Sequence, residues 1–296
     1  MLLSETYFLD TKSDELDFEN ILKDLTESRL PDIQTALQIL EKVKNLLVKE
    51  SNILQIVSPC TIVGDIHGQF DDILPVIIND QKKFLFLGDY VDRGDKSIEL
   101  LLYLCVRKIL KPDFIHFIKG NHETPGQNEF YGFRSECLEK YDLSFWKKSN
   151  ELFEYMAICA VVDNKYFCVH GGISPHIKNI MEITFLDRTD YNTYLPLLWS
   201  DPSETNGFKA STRGAGYLFG PDKLSEFLDY NNFSNLVRSH QLVMEGYKIM
   251  DRCIYVWSAP NYLGTANNIA AVMDIIPDNG FRFELFDCCN YQDVLQ

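Results

Sequence analysis

The stretch that decides the fold is Cys60-Thr61-Ile62-Val63-Gly64-Asp65-Ile66-His67-Gly68. A short apolar, β-branched run enters Gly-Asp, and a histidine follows two positions later. Such a run reads as a buried strand ending in a turn. The pattern recurs downstream. Phe84 to Leu87 ends in Gly88-Asp89, Phe114 to Ile118 is followed by Lys119-Gly120-Asn121-His122, and Tyr166 to Val169 ends in His170-Gly171-Gly172. Helix-compatible stretches, including Lys96 to Leu110, separate the first three. Strands alternating with helices predict an α/β fold with a largely parallel sheet and helices on its faces. Such sheets bind ligands beyond the carboxyl ends of their strands, where each of these runs delivers its polar residues. Further strands are expected near Ile254–Ser258, Ile269–Ile275 and Phe281–Phe286, as a second sheet packed on the first.

Upstream of this core, Pro31 opens a helical stretch at a position where its missing N–H costs little. Ile33, Ala36, Leu37, Leu40, Val43 and Leu47 recur at helical spacing, which predicts one amphipathic helix over residues 31–50. Residues 1–30 are acidic and weakly patterned. No linker, low-complexity segment or internal repeat interrupts the chain. The expected organisation is one domain over 1–296, with a helical cap at 1–58 and a tail at 288–296.

The 296 residues are 46% hydrophobic and 24% charged, the balance of a soluble globular protein. A net charge of -15 argues against a general nucleic-acid binder, whose affinity rests on basic contacts to phosphate. It does not exclude an anionic substrate, because bound divalent ions and arginines make a site locally positive. No apolar run approaches the ~18 residues that cross a membrane. The first residues, MLLSETYFLD, lack a basic n-region and a long apolar stretch, so an intracellular protein of the cytoplasm or nucleus is expected, without membrane attachment. Eight cysteines, none in a CxxC pair, read as buried thiols in place of a disulfide framework.

Five segments carry the chemistry: GDIHG at 64–68, GDYVDRG at 88–94, GNHE at 120–123, HGG at 170–172 and RSHQ at 238–241. They offer Asp65, His67, Asp89, Asn121, His170 and His240 as metal ligands. Two carboxylates, an amide oxygen and three imidazoles without thiolate suit Mn, Fe or Zn, and are too nitrogen-rich for a plain Mg or Ca site. Asp65 and His67 stand two apart, so a turn just past a strand can aim both at one ion. Six ligands are too many for one catalytic ion that must keep open positions, and about right for two ions sharing Asp89. Two metals ~3.5–4 Å apart can clamp the attacking and leaving oxygens of an in-line displacement. Gly64, Gly68, Gly88 and Gly120 flank the ligands where the chain must turn sharply or admit a phosphate. Arg93 lies one turn beyond Asp89 and can fork onto a phosphate.

Each piece alone has a plainer reading. A lone Gly-Asp after a strand is commonly a simple turn, and an Arg beside Asp92 can be a surface ion pair of little consequence. Their joint occurrence, in order and each at a strand end, is what points to a site. His116, inside FIHFI, reads as a structural strand residue, and His176, after Ser174-Pro175, as a solvated turn residue.

These residues form the metallophosphoesterase signature, and their spacing closely resembles the phosphoprotein phosphatase family of serine/threonine phosphatases. The resemblance covers about residues 31–287 and rests on GDIHGQ, GDYVDRG, GNHE, HGGISP, LLWSDP, RGAGYLFG, HQLVMEGY and VWSAPNY. HQLVMEGY and the Trp257 form of SAPNY look like the type 2A branch with its type 4 and type 6 relatives, more than the type 1 or calcineurin branches. The resemblance implies a β-sandwich of mixed sheets flanked by helices. It assigns Asp65, His67 and Asp89 to one metal, and Asp89, Asn121, His170 and His240 to the second. Arg93 and Arg213 match phosphate-holding arginines, helped by Asn121 and Tyr262. His122, supported by Asp92, matches the proton donor to the leaving oxygen. A metal-bound hydroxide attacking phosphorus directly, without a phosphoenzyme, is what the family implies. Phosphoprotein substrates and regulatory subunits are the implied partners.

Several positions depart from the family pattern. Lys119 stands for the usual Arg, Ser239 for Ala and Leu263 for Cys, and YGFRSE at 131–136 replaces YGFYDE. The segment from Met181 to Pro196 looks shortened, and the chain ends Asp293-Val294-Leu295-Gln296 in place of Tyr-Phe-Leu. None touches a ligand. A nucleotide- or nucleic-acid-cleaving phosphoesterase is disfavoured by the acidic charge, the paired arginines and SAPNY. A pseudophosphatase would lack a ligand, and none is missing.

Overall fold

Cys60–Val63, with both faces buried, occupies the middle of a sheet, which is why it is apolar at every position except a buried threonine. The computed structural model describes residues 16–278 and 280–288. Its strands are β1 Ile53–Ile56, β2 Cys60–Val63, β3 Phe84–Phe86, β4 Ile115–Phe117, β5 Cys159–Val162, β6 Tyr166–Val169, β7 Asp201–Pro202, β8 Phe208–Ala210, β9 Tyr217–Phe219, β10 Asn235–Arg238, β11 Tyr247–Met250, β12 Cys253–Val256, β13 Ala270–Ile276 and β14 Gly280–Phe286. Its α-helices are α1 Phe18–Thr26, α2 Ile33–Leu47, α3 Phe70–Ile77, α4 Ser97–Leu110, α5 Pro125–Asn128, α6 Phe133–Lys140, α7 Leu143–Glu154, α8 Tyr191–Trp199 and α9 Pro221–Tyr230.

Two sheets stack face to face. One runs β14-β13-β2-β3-β4, the other β1-β5-β6-β10-β12-β11, and β7-β9-β8 form a separate small sheet whose Phe219 packs with the core of the six-stranded one. Between the two large sheets lies an apolar layer of Ile62, Leu85, Leu87, Ala160, Cys168, Val237, Ile254 and Met273. Helices α1 to α4, α6 and α7 pack a second apolar layer outside the five-stranded sheet. Helices α8 and α9 cover the six-stranded sheet with a third. The result is a mixed-sheet α/β sandwich, with β2, β3 and β4 parallel as the alternation of strands and helices requires.

The structure departs from several sequence expectations. Tyr166–Val169 belongs to the other sheet, because it pairs antiparallel with β5 across the short turn at Asp163 and Asn164. β13 and β14 join the first sheet, since β13 pairs antiparallel with β2 from Val272↔Val63 to Ile275↔Cys60. β1 makes the helical cap end before residue 58. The acidic N-terminal region contains α1, capped by the Asp17 side chain on the N–H of Asn20. α2 starts at Ile33 with Asp32 as its cap and Pro31 just outside it, a narrower span than 31–50. His116 is the strand residue expected, bonded to the Asp113 carbonyl at 3.1 Å. His176 is the exposed turn residue expected, and its Nε2 also meets the Tyr217 hydroxyl at 2.8 Å. Six cysteines, Cys60, Cys105, Cys137, Cys159, Cys168 and Cys253, are buried free thiols, while Cys289 and most of the 288–296 tail lie outside the described residues.

Candidate dimetal active site

The ligand-bearing turns converge on the seam between the two large sheets. Asp65 follows β2, Asp89 follows β3, Asn121 follows β4, His170 follows β6 and His240 follows β10. Close approach of these turns needs glycine in two places. A Cβ on Gly88, at φ 102°, would stand 2.2 Å from the Gly120 nitrogen, and one on Gly120 would stand 2.3 Å from Asp89. The backbone is left-handed at His67, Asp89, Asp92, Arg93 and His240, with φ from 49° to 74°. Strain at roughly 1–3 kcal/mol per residue persists where surrounding contacts over-determine it, and it clusters at functional sites.

The donor atoms gather in two groups that share Asp89: His67, Asp89 and His122, and Asp89, His170 and His240, each within 4.8 Å. Asp65 stands beside the first, its Oδ2 3.7 Å from His67 Nε2, which is also 3.5 Å from Asp89 Oδ2. His67 Nδ1 donates to the Val91 carbonyl at 3.0 Å, so the neutral ring turns a bare Nε2 toward both carboxylates. Burial keeps it neutral, pushing its pKa down to about 3 against the pull of Asp89.

The second group makes the same demand for a cation. His170 Nδ1 donates to the Leu87 carbonyl at 3.0 Å. Its Nε2 then faces Asn121 Oδ1 at 2.8 Å, His240 Nδ1 at 3.1 Å and Asp89 Oδ1 at 3.4 Å. One N–H serves one of these atoms, whereas a cation in their midst serves all. Burial opposes charge on His170, yet Asp89 and Asp65 outweigh it and push its pKa up to about 9. Positive charge is favoured at this spot. Burial, then the charge of Asp89, raises Asp65 to about 6 against the opposing pull of His170 and of the hydrogen bonds from Ser239 and His240. This is the mark of two carboxylates held close together in a dry place. His240 Nε2 is buried and has no hydrogen-bond partner. The donor set fits a pair of divalent ions.

Above the ligands opens a cleft of about 430 Å³ that Arg93, His122, Arg213 and Tyr262 line together. The Arg93 guanidinium lies over the Tyr131 ring, 4.1 Å from its centroid, which orients its fork. Arg213 is anchored through Nε to Asp201 Oδ2 at 2.6 Å. His122 Nδ1 donates to Asp92 Oδ2 at 2.6 Å. Burial lowers the His122 pKa, but the charge of Asp89, then the bond and charge of Asp92, leave it raised. All eleven residues expected from the sequence come together here, with His170 buried beneath the cleft and Asp92 behind His122.

Sequence reading missed the supports. Buried Glu123 accepts N–H groups from Asp89, Tyr90 and Gly120. Asp201 holds both Arg213 and the fully buried Arg238. Their only sequence signal was membership of the GNHE and LLWSDP segments.

The chain belongs to the calcineurin-like phosphoesterase family, whose model matches residues 58–244, and within it to the phosphoprotein phosphatases. A Schizosaccharomyces pombe protein named as a putative serine/threonine-protein phosphatase is 40% identical over 291 residues, covering 94% of this chain and 95% of its own. A solved Saccharomyces cerevisiae protein serine/threonine phosphatase, described as similar to human phosphatase PP5, superposes with a TM-score of 0.85. It is 29% identical and covers 94% of this chain and 98% of its own. A cold-active protein-tyrosine phosphatase of Shewanella shares the fold, at 13% identity and a TM-score of 0.58 over 82% of this chain and 84% of its own.

Proposed function

We propose that this chain is a serine/threonine protein phosphatase that hydrolyses phosphoserine and phosphothreonine directly, with two divalent ions in the cleft. The observation that carries the two-ion reading is Asp89, the one residue common to both donor groups. Asp65, His67 and Asp89 would hold one ion, and Asp89, Asn121, His170 and His240 the other. Bound ions supply Lewis acidity toward water and neutralise charge on the phosphoryl oxygens.

The chain's own groups do the rest. Arg93, stacked on Tyr131, and Arg213, tethered by Asp201, grip the phosphate from two sides of the cleft. Asn121 and Tyr262 add hydrogen bonds at its edge. With Nδ1 fixed by Asp92, His122 holds its second proton at Nε2 and passes it to the leaving seryl or threonyl oxygen. The metal pair is Mn, or Fe with Zn. The type 2A, 4 and 6 branch is the group it fits by its sequence motifs, in the cytoplasm or nucleus, acting on phosphoproteins with or without regulatory subunits. Among the described residues no helix is long and apolar enough to cross a membrane.

The deciding experiment is metal analysis of purified protein together with a panel of phosphoserine peptide, phosphotyrosine peptide and a bis-nucleotide. Two ions per chain and preferential release of phosphate from the phosphoserine peptide are expected. Preference for the bis-nucleotide, or no hydrolysis by fully metallated protein, would refute the assignment.

A further inference from the structure

Ser239 occupies a position where the resembled family usually carries alanine, directly before His240. Its side chain is fully buried at the end of β10. The hydroxyl accepts the Asp65 N–H at 2.8 Å and donates to the Val256 carbonyl at 2.7 Å. The neighbouring His240 donates its own N–H to Asp65 Oδ1 at 3.1 Å. Two consecutive residues thus hold both the backbone and the carboxylate of Asp65. One departure from the family pattern therefore does touch a candidate ligand residue, contrary to the expectation from the sequence. The fit is close: a Cβ on Gly64 would stand 2.8 Å from the Ser239 hydroxyl and 2.1 Å from the Val256 oxygen. Alongside, the Ser258 hydroxyl accepts the Gly64 N–H at 2.8 Å and donates to the Ala271 carbonyl at 2.7 Å. A pair of serines therefore replaces ladder bonds at the point where β2 leaves its sheet.

We propose that Ser239 is a positioning residue for the metal centre. Its hydroxyl ties Asp65, on the five-stranded sheet, to His240, on the six-stranded one. It sets how far apart the ligands of the two ions stand. Asp65 belongs to one ion and His240 to the other, so one hydroxyl prepares both positions at once. This inference rests on the two-ion reading above. An alanine removes the acceptor of a buried N–H and the donor to a buried carbonyl, and Asp65 is then free to relax away from His240. Loss of such a ligand-orienting partner typically weakens metal binding ~10–100-fold.

The test compares wild-type protein with Ser239→Ala. It measures the apparent Mn²⁺ dissociation constant by chelator competition, turnover of a phosphoserine peptide at limiting and saturating Mn²⁺, and the melting temperature of stripped protein. Mn²⁺ binding weakened by roughly 10–100-fold is expected, with turnover largely regained at saturating Mn²⁺. Thr61→Ala is the control. It removes another buried β2 hydroxyl, bonded to Asp274 at 2.6 Å, and is expected to lower the melting temperature while Mn²⁺ affinity stays unchanged. Unchanged Mn²⁺ affinity in Ser239→Ala, or an equal loss in Thr61→Ala, overturns the proposal. Should Ser239→Ala not fold, Ser239→Cys decides the matter, since a thiol keeps the shape with weaker hydrogen bonds. Weaker Mn²⁺ binding there supports the proposal and unchanged binding overturns it. Wild-type protein that binds no Mn²⁺ refutes the two-ion reading itself.

Discussion

Glu123 closes its carboxylate on the backbone of Asp89: Oε2 accepts the Asp89 N–H at 2.7 Å while Oε1 takes that of Tyr90 at 2.9 Å. Oε2 also accepts the Gly120 N–H at 2.9 Å, so one buried side chain pins the turns after β3 and β4 to each other. Glu123→Ala strips the acceptor from three buried N–H groups, each costing ~1–3 kcal/mol. Denaturant melts should show a loss of at least about 2 kcal/mol. Glu123→Gln, which keeps one acceptor oxygen, should lose less. Indistinguishable melts for wild type and Glu123→Ala would contradict this account.

Asp89 is shared by both donor groups, so Asp89→Asn should weaken both ions together. Metal content measured after dialysis should fall toward zero, and phosphopeptide turnover should drop by ~10²-fold or more. A variant that retains two ions and full activity would show that the ligand assignment is wrong.

In the proposed mechanism His122, its Nδ1 held by Asp92 at 2.6 Å, is the acid that protonates the leaving oxygen. An alkoxide is a strong base and needs a proton in the transition state, and a positioned general acid contributes ~10²–10⁴-fold. His122→Asn should lower turnover of a phosphoserine peptide by about that factor, with metal content unchanged. The loss should be much smaller with nitrophenyl phosphate, whose phenolate leaves unaided. Equal losses on both substrates would make His122 an orienting group and not the acid.

Two arginines lean on the same Asp201 carboxylate with different consequences. Arg213, about one-third exposed at its side chain, reaches it at 2.6 Å, whereas Arg238 is wholly buried and also donates to the Gly171 and Ser200 carbonyls. Arg213→Lys loses the forked grip on phosphate and should raise KM for a phosphopeptide ~10-fold with little change in melting temperature. Arg238→Lys should instead destabilise the fold by ~3 kcal/mol, because it breaks a buried pair. Steady-state kinetics and thermal melts on both variants separate the two roles.

His116 sets a pH dependence of stability away from the site. Burial, followed by the Lys108 charge, pushes its pKa down to about 4 from an ordinary 6.5. The folded state then binds the proton less readily than the unfolded chain. Its contribution is intact above about 6.5 and is lost as pH falls toward 4. Urea melts at pH 7 and pH 5 should show a smaller drop for His116→Gln than for wild type. Parallel drops would rule this residue out as the cause.

What could be read from the sequence was whatever is local. β2 matches its apolar run residue for residue, and α4 follows Lys96 as expected. The candidate ligands Asp65, Asp89, Asn121 and His170 were legible because each stands just past the end of an apolar run, and His67 because it follows Asp65 by two residues. Pairing was not legible. Nothing near Val272 announces that it lies opposite Val63, and only the folded chain joins Thr61 to Asp274. α1 stayed hidden because its apolar side, Phe18, Ile21, Leu22 and Leu25, is interleaved with acidic and amide residues and packs onto distant helices. The site's supports escaped for the same reason. Glu123 and Ser239 bond to main-chain groups far along the chain, and backbone atoms leave no trace in a residue pattern.

The division of the ligands between two sheets bears on how the protein acquires activity during folding. Asp65 and His240 are separated by 175 residues, yet the N–H of one meets the carboxylate of the other. Contacts of such long range close late, because the loop entropy must be overcome first. A chain with either sheet formed alone would hold native-like secondary structure and only part of a site. Recovery of catalysis in a refolding experiment should therefore trail the recovery of helical signal. It should instead follow the docking of the sheets, making enzymatic turnover a clock for the last assembly step.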